Sequence, residues 1–164
     1  MLKILIKFSP IILLFYVSLS SLNSLVFFDL FSFNFSFIII YYWVLRDPQI
    51  LGYGFIFCAG ILNDVVSGLP LGLSAATFLI ISSTAAYIRN LTVRRSLLLD
   101  WITFSISVLI ANGIYIITIG ILTDLSVDYL NLLISSIATM FIYIIGWCVF
   151  EIFNNFIFLN KHER

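Results

Sequence analysis

The stretch Asn63-Asp64-Val65-Val66-Ser67-Gly68-Leu69-Pro70-Leu71-Gly72 decides how this chain folds, because it places a carboxylate, a proline and two glycines in a strongly apolar sequence. Gly68 can adopt the left-handed conformation that ends a helix, and Pro70 cannot continue one. Upstream, Asp47-Pro48 combines a favoured N-cap with a favoured first helical residue. We therefore predict helices over 48–67 and 70–88 joined by a tight turn, each of about 20 residues and long enough to cross a hydrocarbon core of about 30 Å.

Asp64 lies one helical turn inside the first of these helices, at or just below the edge of the apolar region. An ionisable group there is unfavourable unless it faces the bundle interior or water. Two interpretations remain open: a contact to a ligand, a partner or a neighbouring helix, or an interfacial side chain that reaches headgroup water. Gly60, Asp64 and Gly68 recur every four residues on one helix face, so a neighbouring helix is expected to pack closely beside the carboxylate.

The composition predicts an all-α membrane protein. The 164 residues are 62% hydrophobic and only 10% charged, whereas soluble proteins carry about 25% charged residues. Intervals free of charge predict a six-transmembrane-helix bundle that forms a single integral membrane domain over 1–164. The predicted spans are approximately 8–28, 30–45, 48–67, 70–88, 101–122 and 129–150. A net charge of zero makes nucleic acid an unexpected partner.

The basic residues predict the topology of these six spans, because all eight lysines and arginines fall on one side of the membrane. They are Lys3, Lys7, Arg46, Arg89, Arg94, Arg95, Lys161 and Arg164. The positive-inside rule then places both termini in the cytoplasm. Tyr41, Tyr42 and Trp43 are predicted to form an aromatic belt at the membrane–water interface. The connection over 89–100 is predicted to lie on the membrane surface as a short amphipathic segment.

The sequence predicts no catalytic residue, no cofactor and no metal site, and therefore not an enzyme. His162 is the only histidine, and Cys58 and Cys148 lie inside predicted spans, where small packing residues are expected. Asp64 and Glu151 are the acids that could contribute to a proton or cation path. Polar residues inside the spans are expected to bind neighbouring helices rather than substrates. These polar residues include Ser105, Ser107, Asn112, Ser135 and Ser136.

Several motifs resemble the rod shape-determining protein MreD family. These are Arg46-Asp47-Pro48, then Gly60 followed by Asp64, Gly68, Pro70 and Gly72, then a basic loop after the next helix. An Asp, a Gly four residues later and then Pro-x-Gly is the family's recurrent signature. The resemblance covers about residues 40–122, whereas the first helix and the tail match only in hydrophobicity.

The resemblance implies a non-enzymatic scaffold of the bacterial cell-elongation and peptidoglycan-synthesis machinery (the elongasome), located in the inner membrane, where it maintains rod shape. Its expected partner is an MreC-like membrane protein, and through it an MreB-like filament and wall synthases. The face beside Asp64 would meet partner helices. Arg89, Arg94 and Arg95 would meet cytoplasmic partners, or would only fix orientation and contact anionic membrane lipid.

The resemblance also implies a fold similar to the substrate-binding subunits of energy-coupling-factor vitamin transporters. A second interpretation is therefore a small-molecule-binding membrane subunit that recruits an ATP-driven module. Such a subunit should present polar and aromatic groups in its outer loops. The outer loops here are short and acidic, so the scaffold is favoured and a small-molecule ligand is not expected.

Overall fold

The computed structural model describes residues 2–19, 33–92, 96–122 and 128–162, and within these ranges all regular structure is α-helical. The helices are α1 (Leu2–Leu19), α2 (Phe35–Arg46), α3 (Tyr53–Ser67), α4 (Leu73–Leu91), α5 (Leu97–Leu122) and α6 (Tyr129–His162). The predicted all-α class is therefore confirmed.

Two of these helices are long and apolar enough to cross a membrane: α5 over Leu97–Ile121 and α6 over Tyr129–Ile152. By contrast, α2 has 12 residues and α3 has 15. At 1.5 Å per residue they reach only about 18 and 22 Å, short of a hydrocarbon core of about 30 Å. The length and composition of α5 and α6 therefore support membrane association of the described part of the chain. The six spans stay a prediction.

The predicted start of the third helix at Pro48 is wrong, because α3 begins at Tyr53. Asp47 caps the C-terminus of α2 with its backbone N–H and does not cap a following helix. Its carbonyl accepts a hydrogen bond from the Ile50 N–H (3.2 Å), which closes a separate turn around Pro48. Gly52 is then extended, with φ −62° and ψ 144°, immediately before α3. The Asp-Pro pair therefore starts a turn and not a continuous helix.

Helix α2 is the central element of the bundle. All ten residues of Ser36–Leu45 are buried, and α2 packs against α1, α4 and α6. Helices α2 and α6 run parallel, since the Asn34 N–H at the start of α2 donates to Thr139 Oγ1 (3.0 Å) and Arg46 at its end pairs with Glu151, further along α6.

The predicted aromatic belt is wrong, since Tyr41, Tyr42 and Trp43 are only 0%, 1% and 6% exposed. The hydroxyl groups of the two tyrosines find partners inside the bundle and do not need water. The Tyr41 hydroxyl donates to Thr103 Oγ1 (2.6 Å), and the Tyr42 hydroxyl donates to Glu151 Oε2 (3.1 Å). These rings therefore belong to the core.

An aromatic cluster joins α2, α5 and α6. Phe104 and Tyr143 stack with ring centroids 4.2 Å apart, and Tyr41 meets them edge-on at 5.1 and 5.8 Å. All three side chains are fully buried. Such ring pairs add about 0.5–1.5 kcal/mol each beyond the burial of their area, so the cluster is a strong tie between the three helices.

The outer faces of α5 and α6 are apolar and exposed. On α5 this face comprises Leu98, Ile102, Ile106, Leu109, Ile110, Ile117 and Ile121, and on α6 it comprises Leu130, Leu133, Ile137, Phe141, Ile145, Val149 and Ile152. An apolar surface of this extent marks a membrane or protein contact. Cys58 and Cys148 are also exposed and are free thiols.

Candidate functional site

The turn between α3 and α4 is built around Asp64. Gly68 has φ +66°, the left-handed conformation predicted for it. The Asp64 carbonyl accepts the N–H of Gly68 and the N–H of Leu69 (3.0 Å), which satisfies the end of α3. The chain then passes through Pro70, and α4 begins at Leu73 instead of the predicted Pro70.

The carboxylate of the same residue organises the beginning of α4. It is fully buried, and its two oxygens accept the backbone N–H groups of Gly72 (2.7 Å) and Ser74 (2.8 Å). Gly72, with φ +98°, caps α4 but has no side chain that could bond these N–H groups. Asp64 supplies the missing acceptor from α3, and its negative charge is favourable at a helix N-terminus. Asp64 therefore locks two helices together, which decides between its two interpretations. We call Asp64 with the N–H groups of Gly68, Leu69, Gly72 and Ser74 the α3–α4 lock.

Gly60 allows the two helices to approach closely one turn before the lock. A Cβ atom added at Gly60 would lie 2.6 Å from the backbone nitrogen of Ala75 and 3.0 Å from its Cβ. The close approach predicted for the Gly60–Asp64 face is therefore present, but the helix that approaches is α4 of the same chain. This part of the face is covered internally and is not available to a partner helix.

Beside the lock, five helices form the walls of a partly open cavity of about 300 Å³, which we call the polar cavity. Its walls come from the first turns of α2, α4 and α6, the end of α3 and the middle of α5. The lining residues are Asn34, Phe37, Asn63, Val66, Ser67, Leu69, Ser74, Thr77, Phe78, Asn112, Tyr115, Asn131, Leu132 and Ser135.

Hydrogen bonds between helices hold the walls of the polar cavity. The amide nitrogen of Asn63 donates to Ser74 Oγ (2.9 Å), and that of Asn112 donates to Ser136 Oγ (2.7 Å). The Asn112 bond agrees with the prediction that polar residues in the spans bind neighbouring helices, whereas the hydroxyls of Ser105 and Ser107 donate to carbonyl groups of their own helix, α5. Ser74 is also the residue whose N–H reaches Asp64, so the lock and the cavity share a wall.

The opposite end of the bundle carries a group of charged and aromatic side chains. Arg46 forms an ion pair with Glu151, and its guanidinium carbon lies 5.6 and 5.9 Å from the ring centroids of Tyr42 and Trp147. Trp147 Nε1 donates to Asp100 Oδ2 (3.3 Å). Glu151 was a candidate for a proton or cation path, and in the structure its carboxylate bonds to side chains of α2. Arg46 is half-buried against α6.

The remaining predicted site residues are dispersed. Pro48 lies in the turn after α2, and Arg89 is half-buried near the end of α4. Arg94 and Arg95 lie outside the described residues. Of the amphipathic segment predicted over 89–100, the described part belongs largely to the end of α4, which extends to Leu91, and to the start of α5, which begins at Leu97. In the described part of the chain, no group of three potential metal ligands comes together.

Sequence reasoning missed the polar cavity, although one signal was available. Asn112 interrupts the apolar sequence of α5, and Asn63 precedes the singled-out Asp64. A polar side chain within an apolar helix marks a bundle interior or a water-filled space. Which helices would bring these residues together depends on tertiary packing, which periodicity does not give.

No protein-family model, curated protein or solved structure matches the chain. The fold and the site define an all-helical protein with two long apolar helices, an internal carboxylate lock and a polar cavity.

Proposed function

We propose that this protein is a non-enzymatic scaffold in a bacterial inner membrane that acts in cell elongation with an MreC-like partner. The observation that carries the proposal is the α3–α4 lock. The residues on which the resemblance to the MreD family rests, Asp64, Gly68, Pro70 and Gly72, form one connected turn. In it both carboxylate oxygens of Asp64 are used by backbone N–H groups. Such a turn supports a structural role, in which the bundle holds helix faces in fixed positions.

The surfaces of the bundle support a membrane scaffold. The exposed apolar faces of α5 and α6 are suited to lipid and to partner helices, and the Gly60 face is already covered. We therefore propose that a membrane partner contacts α5 and α6, and not the Gly60 face. The basic ends of the chain would face the cytoplasm under the positive-inside rule, where they would contact anionic lipid or cytoplasmic partners.

The second candidate is a small-molecule-binding subunit of an energy-coupling-factor type transporter. The polar cavity favours this candidate, since 300 Å³ lies at the lower limit of the range of about 300–1,000 Å³ for small-molecule sites. The scaffold is preferred because the lock residues carry the more specific sequence signature.

Depletion and co-purification test the proposed function. We expect depletion to widen or round elongated cells, and the protein to co-purify in mild detergent with a single-span MreC-like protein. Complementation by Asp64→Leu should fail although the protein is present in the membrane. The matched control is Asp128→Asn, which alters an exposed carboxylate and should restore the rod shape.

Two other results would overturn the scaffold. Depletion without any change of cell shape, combined with tight and saturable vitamin binding, would favour the transporter subunit. Full complementation by Asp64→Leu at wild-type abundance would show that the α3–α4 lock is not needed for this function.

A further inference from the structure

We infer that the polar cavity is a binding site for a small uncharged molecule that carries hydroxyl or amide groups. Its volume of about 300 Å³ is far larger than the roughly 30 Å³ that one water occupies in the liquid. Five helices contribute to its walls and the cavity is partly open to the outside, so a small molecule can enter it between the helices. The inference stands on this cavity alone, whether the bundle serves as a scaffold or as a transporter subunit.

The lining chemistry defines the ligand class. Four asparagines line the cavity, namely Asn34, Asn63, Asn112 and Asn131. An amide side chain offers both donors and acceptors, which match hydroxyl and amide groups on a ligand. Phe37 and Phe78, which meet edge to face at 5.9 Å between centroids, add an apolar wall. A few polar groups beside aromatic rings are the usual composition of small-molecule sites.

The charge distribution favours an uncharged ligand. Among the described residues that line the cavity there is no Asp, Glu, Lys, Arg or His. An anion would therefore find no cation there, and it would approach the carboxylate of Asp64, the neighbour of lining residue Asn63. Two carboxylates stand next to described lining residues, and the oxygens of both already accept hydrogen bonds. Those of Asp64 accept the N–H groups of Gly72 and Ser74, and those of Asp128 accept the N–H and the side-chain amide of Asn131. A cation would therefore have to compete with these hydrogen bonds.

The site is also pre-organised. Asn63 is fixed to Ser74, Asn112 is fixed to Ser136, and the N–H of Asn34 is fixed to Thr139. Fixed polar groups lose little conformational freedom on binding, which favours affinity. The sequence led us to expect no small-molecule ligand because the outer loops are short, but this site lies between helices and does not need long loops.

Cysteine accessibility tests the proposal on the full-length chain in lipid nanodiscs. Cys58 and Cys148 are replaced by alanine, and Ser135→Cys then places one thiol in the cavity wall. Leu71→Cys, at a position that is 73% exposed in the α3–α4 turn, is the matched control. The probes are hydroxyethyl, sulfonatoethyl and trimethylammonioethyl methanethiosulfonate, which are uncharged, anionic and cationic.

After normalisation to Leu71→Cys, we expect the uncharged reagent to label Ser135→Cys about tenfold faster than either charged one, equivalent to about 1.4 kcal/mol. A high concentration of glucose and nicotinamide should slow this labelling, whereas glucuronate and nicotinate, their anionic counterparts, should not. Four results would overturn the inference: no labelling by any reagent, equal normalised rates for all three, no slowing by either mixture, or equal slowing by both.

Discussion

Replacing Asp64 by asparagine is the sharpest test of the α3–α4 lock, because it preserves shape and changes only hydrogen-bonding capacity. The two carboxylate oxygens accept the N–H groups of Gly72 and Ser74 at 2.7 and 2.8 Å. The asparagine amide keeps one oxygen but presents an NH₂ group to the other N–H, and two donors cannot bond each other. One buried backbone N–H at the start of α4 is therefore left without a partner.

The magnitude follows from these contacts. A buried donor left unsatisfied costs about 1–3 kcal/mol, and losing the negative charge at the α4 N-terminus adds about 0.3–1 kcal/mol. We therefore expect Asp64→Asn to lower the free energy of unfolding by about 1–4 kcal/mol. Asp64→Leu removes both acceptors and should be more destabilising still, even though leucine favours membrane insertion.

Unfolding in mixed micelles of mild detergent and sodium dodecyl sulfate, followed by circular dichroism, measures these changes. The control is Asp128→Asn, since Asp128 is exposed and precedes α6. Asparagine is an equally good N-cap, so this variant should stay within about 0.5 kcal/mol of the parent. Wild-type stability of Asp64→Leu would refute the assignment of a structural role to the carboxylate.

Three further perturbations test other parts of the fold. Gly60→Ala should destabilise the bundle by about 1–3 kcal/mol, because α4 blocks the added methyl group. The control, Gly113→Ala, should not be destabilising, since Gly113 has open space around it. Unfolding in mixed micelles measures the free energy of unfolding of both variants. A double-mutant cycle with Arg46→Met and Glu151→Gln should give a coupling free energy of about 0.5–3 kcal/mol, and additive effects would contradict the ion pair. Reporter fusions active only outside the cytoplasm should be active after Gly68 and inactive after Arg46; activity at both positions would overturn the predicted topology.

Local chemistry made the α3–α4 turn predictable. Gly68 was expected in the left-handed conformation and has it, and α3 ends at Ser67 as predicted. The preceding boundary failed because Asp47 and Pro48 suit a helix start and a turn equally well. The Asp47 N–H bonds to the last turn of α2. Whether Asp47 ends one helix or begins the next therefore depends on where the preceding helix ends.

Burial of the aromatic residues could not be predicted in the same way. Tyr41 and Tyr42 stand beside the basic Arg46, a pattern typical of an interfacial anchor. Their hydroxyls bond to Thr103 and Glu151, which lie far away in sequence. Since a tyrosine suits either environment, only the positions of α5 and α6 decide whether it faces lipid or the core.

The short length of α2 is compatible with the proposed membrane bundle, because hydrophobic matching concerns surfaces that touch lipid. All ten residues of Ser36–Leu45 are buried, so α2 meets other helices and not acyl chains. Polar residues stand at its two ends: Asn34, which lines the polar cavity, and Arg46, which pairs with Glu151. Longer helices with exposed apolar faces, α5 and α6, can then set the thickness of the bundle. The polar cavity and the Arg46 ion pair would lie at opposite ends of its interior, where water or headgroups reach them.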